Sequence, residues 1–177
     1  MEDFLYNLDG TKSLLNRVPN LFCLAIYQTT ECLVIVNAYR ARGQLKENGF
    51  SEDNTRQYIL QTKKDTTIAQ LRDGLSFDAV EYITSGYKSQ GYLCFPSNHI
   101  SVEFCSDMHD KELSDFMRKH ELHSAKKASF LAEKESIYSF VVPRADGAKT
   151  IIVAQKIYEE GQALFAEPEF FSEFRRE

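Results

Sequence analysis

The stretch His99-Ile-Ser-Val-Glu-Phe104 decides the fold predicted for the second half of this 177-residue chain. Apolar and polar residues alternate along it, so Ile100, Val102 and Phe104 fall on one face of a β-strand. The residues between them face the other way. The pattern therefore predicts a half-buried strand, with a core on one side and polar side chains on the other.

Two amphipathic helices are predicted after this strand. In residues 110–121, Leu113 and Phe116 lie one helical turn apart, and an apolar stripe of the same kind runs through residues 150–161. Gly161 stands where many helices end on a left-handed residue. Both segments therefore read as helices that pack one apolar face against a neighbouring layer.

Three further strands complete this half of the chain, at residues 125–131, 137–142 and 163–171. The resulting order β-α-β-β-α-β is typical of the split, ferredoxin-like arrangement, in which two helices cover one face of a four-stranded antiparallel sheet. The other face of such a sheet stays available for binding.

The first half of the chain predicts the same kind of element order in a weaker form. An Asp9-Gly10 turn indicates a small hairpin over residues 4–15. Strands are predicted at residues 21–27, 56–62 and 79–84, and helices at residues 30–42 and 66–74.

The predicted fold class is therefore α+β, with two ferredoxin-like modules that each place helices on one face of an antiparallel sheet. The first module covers residues 1–90 and the second covers residues 98–171, followed by a tail at residues 172–177. Gly, Pro, Ser and Asn interrupt any periodic pattern between positions 86 and 98, which predicts a link between the modules.

Composition argues against two large classes of partner. The net charge of -5 is unfavourable for binding nucleic acid, because neutralising phosphates needs a clustered excess of Lys and Arg. No segment approaches the ~20 apolar residues of a membrane-spanning helix, and the acidic start Met1-Glu-Asp-Phe4 is unlike a secretory signal. We therefore expect a cytoplasmic protein that binds neither nucleic acid nor membrane.

No catalytic signature is recognisable in the chain. It has no Gly-x-Ser-x-Gly elbow, no phosphate-binding loop ending in Lys-Ser/Thr and no His-Glu-x-x-His motif. His120 and His123 flank a predicted helix end near Cys105, but zinc needs a second ligand pair, which the chain does not offer. A favourable interaction with the helix dipole is the simpler interpretation of His120. We predict no enzyme activity, no metal and no cofactor.

The four cysteines form no Cys-x-x-Cys pair, and most of them lie in apolar, strand-like runs. They are interpreted as reduced thiols that behave as small apolar residues, with disulfides or a metal site as the alternative.

Two groups of residues are candidates for protein binding. Glu133 and Glu135 occupy a predicted turn, where they are either solvated hairpin residues or acceptors for the free N–H groups of partner helices. Phe165 is expected in the core. Phe171 and Phe174 lie at or beyond the end of the last strand, which indicates a docking segment.

A resemblance to a known family rests on these elements together. Gly161-Gln-Ala-Leu-Phe-Ala-Glu-Pro-Glu169, directly after an amphipathic helix, resembles the end of the propeptide that precedes the catalytic domain in subtilisin-family serine proteases. The first half is similar to an additional N-terminal module of some bacterial subtilases, through Arg17-Val-Pro-Asn20 and Tyr92-Leu-Cys-Phe-Pro-Ser-Asn98. The resemblance spans nearly the whole chain.

The resemblance implies a prodomain or a free-standing inhibitor that assists protease folding and blocks the substrate cleft. Its sheet would pack on two surface helices of a subtilisin-like serine protease, in cis or in trans, and its tail would enter the cleft as an extra strand. The residues implied in protease binding are Glu133, Glu135, Phe171, Ser172, Glu173, Phe174, Arg175, Arg176 and Glu177.

Two other classes of function remain open from the sequence. One is a ferredoxin-like module for ligand sensing or protein assembly, unrelated to proteases. The other is an enzyme whose signature is not recognised. An accessible, extended chain end distinguishes an inhibitor from a sensor, because only the inhibitor needs it.

Overall fold

The computed structural model describes residues 3–50, 55–74, 80–127, 137–143 and 147–172. These residues form nine strands and four helices. The strands are β1 (Asp3–Tyr6), β2 (Lys12–Tyr27), β3 (Leu45–Phe50), β4 (Thr55–Gln61), β5 (Val80–Ser89), β6 (Tyr92–Phe104), β7 (His123–Lys127), β8 (Ile137–Val141) and β9 (Ala163–Ser172), and the helices are α1 (Thr30–Ala41), α2 (Ile68–Gly74), α3 (Asp110–Lys119) and α4 (Gly147–Glu159).

Most individual elements are confirmed close to their predicted bounds. Ile100, Val102 and Phe104 of β6 are all buried in one apolar cluster, as the alternation predicts. The predicted hairpin forms between β1 and the start of β2, with Gly10 at a φ of 79° in its turn. Gly161 follows α4 with a φ of 75°, the left-handed conformation expected at a helix end.

The predicted fold class, two ferredoxin-like modules, is wrong. The described strands form one nine-stranded sheet in the order β3-β4-β2-β5-β6-β8-β7, while β1 also pairs with β2 and β9 also pairs with β6. Every pairing whose register is described is antiparallel. The described residues therefore form a single, mostly antiparallel sheet with four short helices.

Two long strands explain why the sheet is continuous. β2 has 16 residues and β6 has 13, and each contains a proline, Pro19 and Pro96, without ending there. The pairing of β2 with β5 shifts register between Arg17 and Phe22, so Pro19 falls in an irregular stretch where its missing N–H costs no ladder hydrogen bond.

Residues 86–98, which the sequence predicts as a link, lie within β5, β6 and the turn between them. These strands pair antiparallel next to a turn at Gln90 and Gly91, which adopt φ values of 50° and 85°. Gly91 thus lies in a tight hairpin turn, whereas Pro96, Ser97 and Asn98 continue β6.

By contacts between backbone positions, the chain divides into two compact units. One contains Met1–Leu15 and Pro96–Phe170, and is called the 96–170 unit below. The other contains Asn16–Phe95 together with Phe171 and Ser172, and is called the 16–95 unit. Residues 1–15 thus belong with the second half of the chain, whereas the sequence places them in the predicted module of residues 1–90.

The core of the 96–170 unit lies between the sheet and two helices. The apolar face of β6 packs with Phe140 of β8, Phe116 of α3 and both Ala154 and Ile157 of α4. Phe104 contacts Phe116 edge to face, with 4.9 Å between the ring centroids. Because both helices contact residues of the same strand face, α3 and α4 cover one side of this part of the sheet.

The N-terminal hairpin packs on α4 within the same unit. The ring of Tyr6 stacks on Tyr158 at 4.5 Å, and the Tyr6 hydroxyl donates a hydrogen bond of 2.7 Å to Glu159. Gln155 donates a hydrogen bond of 2.7 Å to the carbonyl oxygen of Phe4. These contacts hold β1 against the helix.

The 16–95 unit has its own apolar core. Phe22, Leu24 and Ile26 alternate along β2 and point to the same side. They pack with Tyr58 and Leu60 of β4, Ile83 of β5, Val36 of α1 and Leu71 of α2.

Candidate functional site

A row of polar side chains lies on the sheet face opposite α3 and α4 in the 96–170 unit. Ser101 of β6 lies directly opposite Ser139 of β8. Both hydroxyls donate hydrogen bonds to Oε1 of Glu169 in β9, at 3.2 Å from Ser101 and 2.9 Å from Ser139. We call these three residues the polar row.

Strand alternation explains why the row faces away from the helices. Ser101 stands between Ile100 and Val102, which belong to the helix-covered core, so its side chain points to the other side. Ser139 stands in the same way between two core residues of β8. All three members of the polar row are half-buried, so a partner can reach them.

The two serines orient the Glu169 carboxylate. An ionised carboxylate only accepts hydrogen bonds, and the two hydroxyls engage the same oxygen atom. Because each residue of the row lies on a different strand of the sheet, the carboxylate is held by rigid backbone. The arrangement provides a preorganised acceptor for N–H groups, such as those at the N-terminus of a helix.

A second carboxylate lies near this acceptor along β9. Alternation places Glu167 on the same face as Glu169, and Glu167 is half-buried. Burial raises the pKa of the Glu167 carboxyl. The face opposite the helices therefore presents two acidic positions to a partner.

The structure locates only part of the predicted binding residues. Glu133 and Glu135 lie outside the described residues, as do Glu173, Phe174, Arg175, Arg176 and Glu177. Ser172 is the last residue of β9. Phe171 also lies in β9, is half-buried, and stacks on Tyr82 with 6.3 Å between the ring centroids.

His120, at the end of α3, is enclosed by charged and aromatic neighbours. Its imidazole lies 4.7 Å from the Phe116 ring, and its Nε2 lies 3.1 Å from Oε2 of Glu160 without hydrogen-bond geometry. Lys119 donates a hydrogen bond of 2.7 Å to the same Glu160 oxygen, and Lys156 is a further charge that acts on the ring. Desolvation lowers the pKa of His120, against the attraction of Glu160. The lowered pKa disfavours the charged form of His120, which is the form that the helix dipole would stabilise.

Acid should destabilise the protein through His120. The pKa of His120 in the folded chain lies below 6.5, the value of an unperturbed histidine, so the unfolded chain binds this proton more readily. The stability that His120 contributes is complete above pH 6.5 and is lost as the pH falls through its lower folded-state pKa. We expect the free energy of unfolding, measured with urea, to fall less for H120Q than for the wild type when the pH is lowered from about 7 to about 5.

The exposed His123 supplies the matched control for that measurement. The H123Q variant should keep the pH dependence of the wild type. An H120Q protein with an unchanged pH dependence would show that His120 titrates equally in the folded and unfolded chains.

The described residues contain no group of three or more His, Cys, Asp and Glu side chains arranged to hold a metal ion. Cys23, Cys94 and Cys105 are free thiols. Complete burial raises the pKa of Cys23 to about 12, so this thiol stays protonated. Burial also raises the pKa of Cys94. Neither thiol is activated as a nucleophile.

Among the described helices, none combines the length and the apolar character needed to cross a membrane. Comparison with protein-family models and with curated proteins gave no match to the chain.

The polar row was missed at the sequence level. Alternation in residues 99–104 does place Ser101 on the face opposite the core, and Glu169 stands in the segment that carries the family resemblance. What the sequence does not provide is the register that brings Ser139 opposite Ser101, or the pairing that places β9 beside β6.

Proposed function

We propose that this chain is a prodomain or a free-standing inhibitor of a subtilisin-like serine protease. It acts by binding, without catalysis of its own. The polar row is the observation that carries the proposal, because it offers a fixed acceptor on the sheet face that the helices leave uncovered.

Helix N-termini on the protease are the complementary feature. The first N–H groups of a helix have no partner within the helix, and its dipole favours a negative charge at that end. Glu169 meets both requirements, since its carboxylate accepts hydrogen bonds and is already oriented by Ser101 and Ser139. Glu167 adds a second acidic position two residues away on the same strand.

The course of β9 also supports the proposal. This strand pairs with β6 and continues to Ser172, so the described chain is extended up to that residue. An extended segment can add to a partner's sheet through backbone hydrogen bonds, with side chains in the subsites providing selectivity. In the proposed complex, residues 173–177 occupy the substrate cleft.

The role of the polar row is tested by E169Q, which keeps an oxygen acceptor for the two serines and removes the charge. We expect this variant to inhibit a panel of subtilisin-family proteases about fivefold less well, a loss of about 1 kcal/mol. The measurement is the inhibition constant against a chromogenic peptide substrate. Its thermal unfolding should match the wild type.

The control for this test is E121Q, which removes an exposed carboxylate from the turn after α3. It changes the net charge equally and should inhibit as well as the wild type. If E121Q and E169Q weaken inhibition equally, the effect comes from the net charge of the protein and not from the polar row. If the wild type inhibits no protease of the panel, the proposal is contradicted.

A further inference from the structure

An open cavity of about 430 Å³ lies in the 16–95 unit, beside the end of α1 and the start of α2. Three of its lining residues are cationic, Arg42, Lys63 and Lys64, and none is acidic. The whole chain carries a net charge of -5, so this local excess of positive charge runs against the composition. The remaining lining residues are Tyr39, Gln44, Thr62, Thr66, Gln70 and Leu71.

Two acidic residues close to this cavity in sequence, Glu47 and Asp65, have partners outside its lining. Glu47 forms ion pairs with Arg40 at 3.8 Å and Arg56 at 3.2 Å. Asp65 accepts a hydrogen bond of 3.3 Å from Asn20. Among the described residues, no ion pair neutralises the three cations that line the cavity, so their charge is available to a ligand.

The backbone that carries Lys63 and Lys64 is fixed in place. Asn20 adopts a φ of 61° and accepts two hydrogen bonds from this segment. The backbone N–H of Thr62 donates to the Asn20 carbonyl oxygen at 2.9 Å, and the backbone N–H of Thr66 donates to the Asn20 side-chain oxygen at 3.3 Å. The hydroxyls of Thr62 and Thr66 both donate to the carbonyl oxygen of Lys64, at 3.1 and 2.8 Å. The two lysines therefore extend from a turn that is ordered before any ligand binds.

The opposite wall combines a third cation with an apolar surface. The Arg42 guanidinium lies 5.8 Å from the centroid of the Tyr39 ring, which restricts its orientation. The backbone N–H groups of Arg42 and Gln44 both donate to the carbonyl oxygen of Tyr39, so this carbonyl at the end of α1 is already satisfied. Leu71 is buried in the wall of the cavity and adds apolar surface.

We propose that this cavity binds a phosphomonoester, with the phosphate among Arg42, Lys63 and Lys64 and an apolar group of the ligand against Tyr39 and Leu71. A phosphate dianion matches a group of three cations better than a monoanion does, because both its charge and its oxygen acceptors are used. The site is independent of the proposed protease inhibition, since it uses no residue of the polar row.

Phenyl phosphate is the probe that tests the site, with binding to the full chain measured by isothermal titration calorimetry. We expect saturable binding that weakens about tenfold, or ~1.4 kcal/mol, in the K63Q/K64Q variant. Benzenesulfonate, which has the same ring and a single negative charge, should bind more weakly than phenyl phosphate. Raising the salt concentration should weaken the binding of phenyl phosphate to the wild-type protein, because salt screens the charges of the site.

The K88Q/K111Q variant removes the same charge from exposed lysines outside the cavity and should bind phenyl phosphate like the wild type. Absence of saturable binding up to about 10 mM, or equal weakening by both double variants, overturns the proposal. Benzenesulfonate binding as tightly as phenyl phosphate overturns the assignment to phosphate. The K63Q/K64Q variant should inhibit proteases like the wild type, so a failure of either proposal is distinguishable from a failure of the other.

Discussion

Deleting residues 173–177 should weaken inhibition of a subtilisin-family protease by far more than tenfold, which is well above ~1.4 kcal/mol. The segment contains Glu173, Phe174, Arg175, Arg176 and Glu177. In the proposed complex these residues supply backbone hydrogen bonds to the cleft and side chains to its subsites, and the deletion removes both at once.

The fold should not change with this deletion. Ser172 is the last residue of β9, so the truncated chain keeps the whole strand and the stacking of Phe171 on Tyr82. We therefore expect the midpoint of thermal unfolding to stay near that of the wild type. The decisive measurement is the inhibition constant of the truncated protein beside its melting curve.

A variant with residues 173–177 replaced by Gly and Ser separates the two contributions. It keeps the length of the segment and its backbone hydrogen-bonding groups but loses the side chains, so it should inhibit better than the deletion and less well than the wild type. Full inhibition by the truncated protein would exclude a role of this segment in the substrate cleft.

Replacing Phe104 by Ala should cost about 3–5 kcal/mol of unfolding free energy, because it opens a cavity in the core of the 96–170 unit. Phe104 is only 2% exposed and contacts the rings of Phe116, Tyr138 and Phe140. A loss of this size is a large part of the 5–15 kcal/mol that is typical for a folded domain. Urea unfolding followed by circular dichroism measures it.

Tyr92 provides the matched control on the same strand, because its side chain is 78% exposed. The Y92A variant should change the unfolding free energy by less than about 0.5 kcal/mol. The F104L variant should be less destabilised than F104A, since leucine fills part of the cavity. Similar losses in F104A and Y92A would show that this apolar cluster is not the stabilising core.

Much of the local structure could be predicted from the sequence. The period-2 pattern of residues 99–104 identifies the strand and its buried face, and the spacing of Leu113 and Phe116 identifies α3. Asp9-Gly10 identifies the N-terminal turn, and Gly161 the end of α4. These signals are readable because they arise between residues close in the chain, through alternation, helical periodicity and positive φ angles.

The sequence does not predict β3, because this strand carries no such local signal. Leu45-Lys-Glu-Asn-Gly-Phe50 lacks alternation, and its pairing with β4 shifts register between Glu47 and Gly49. It forms a strand because β4 offers it a partner, which its own residues do not indicate.

By itself, then, the sequence determined the strands, helices and turns that local patterns encode, together with the buried face of β6. Only the tertiary structure decided that β2 and β6 continue past Pro19 and Pro96 in one nine-stranded sheet. It also decided that Ser101, Ser139 and Glu169 meet. The physical reason is that register and strand order are set by hydrogen bonds and packing between residues far apart in the chain, such as the 68 positions between Ser101 and Glu169.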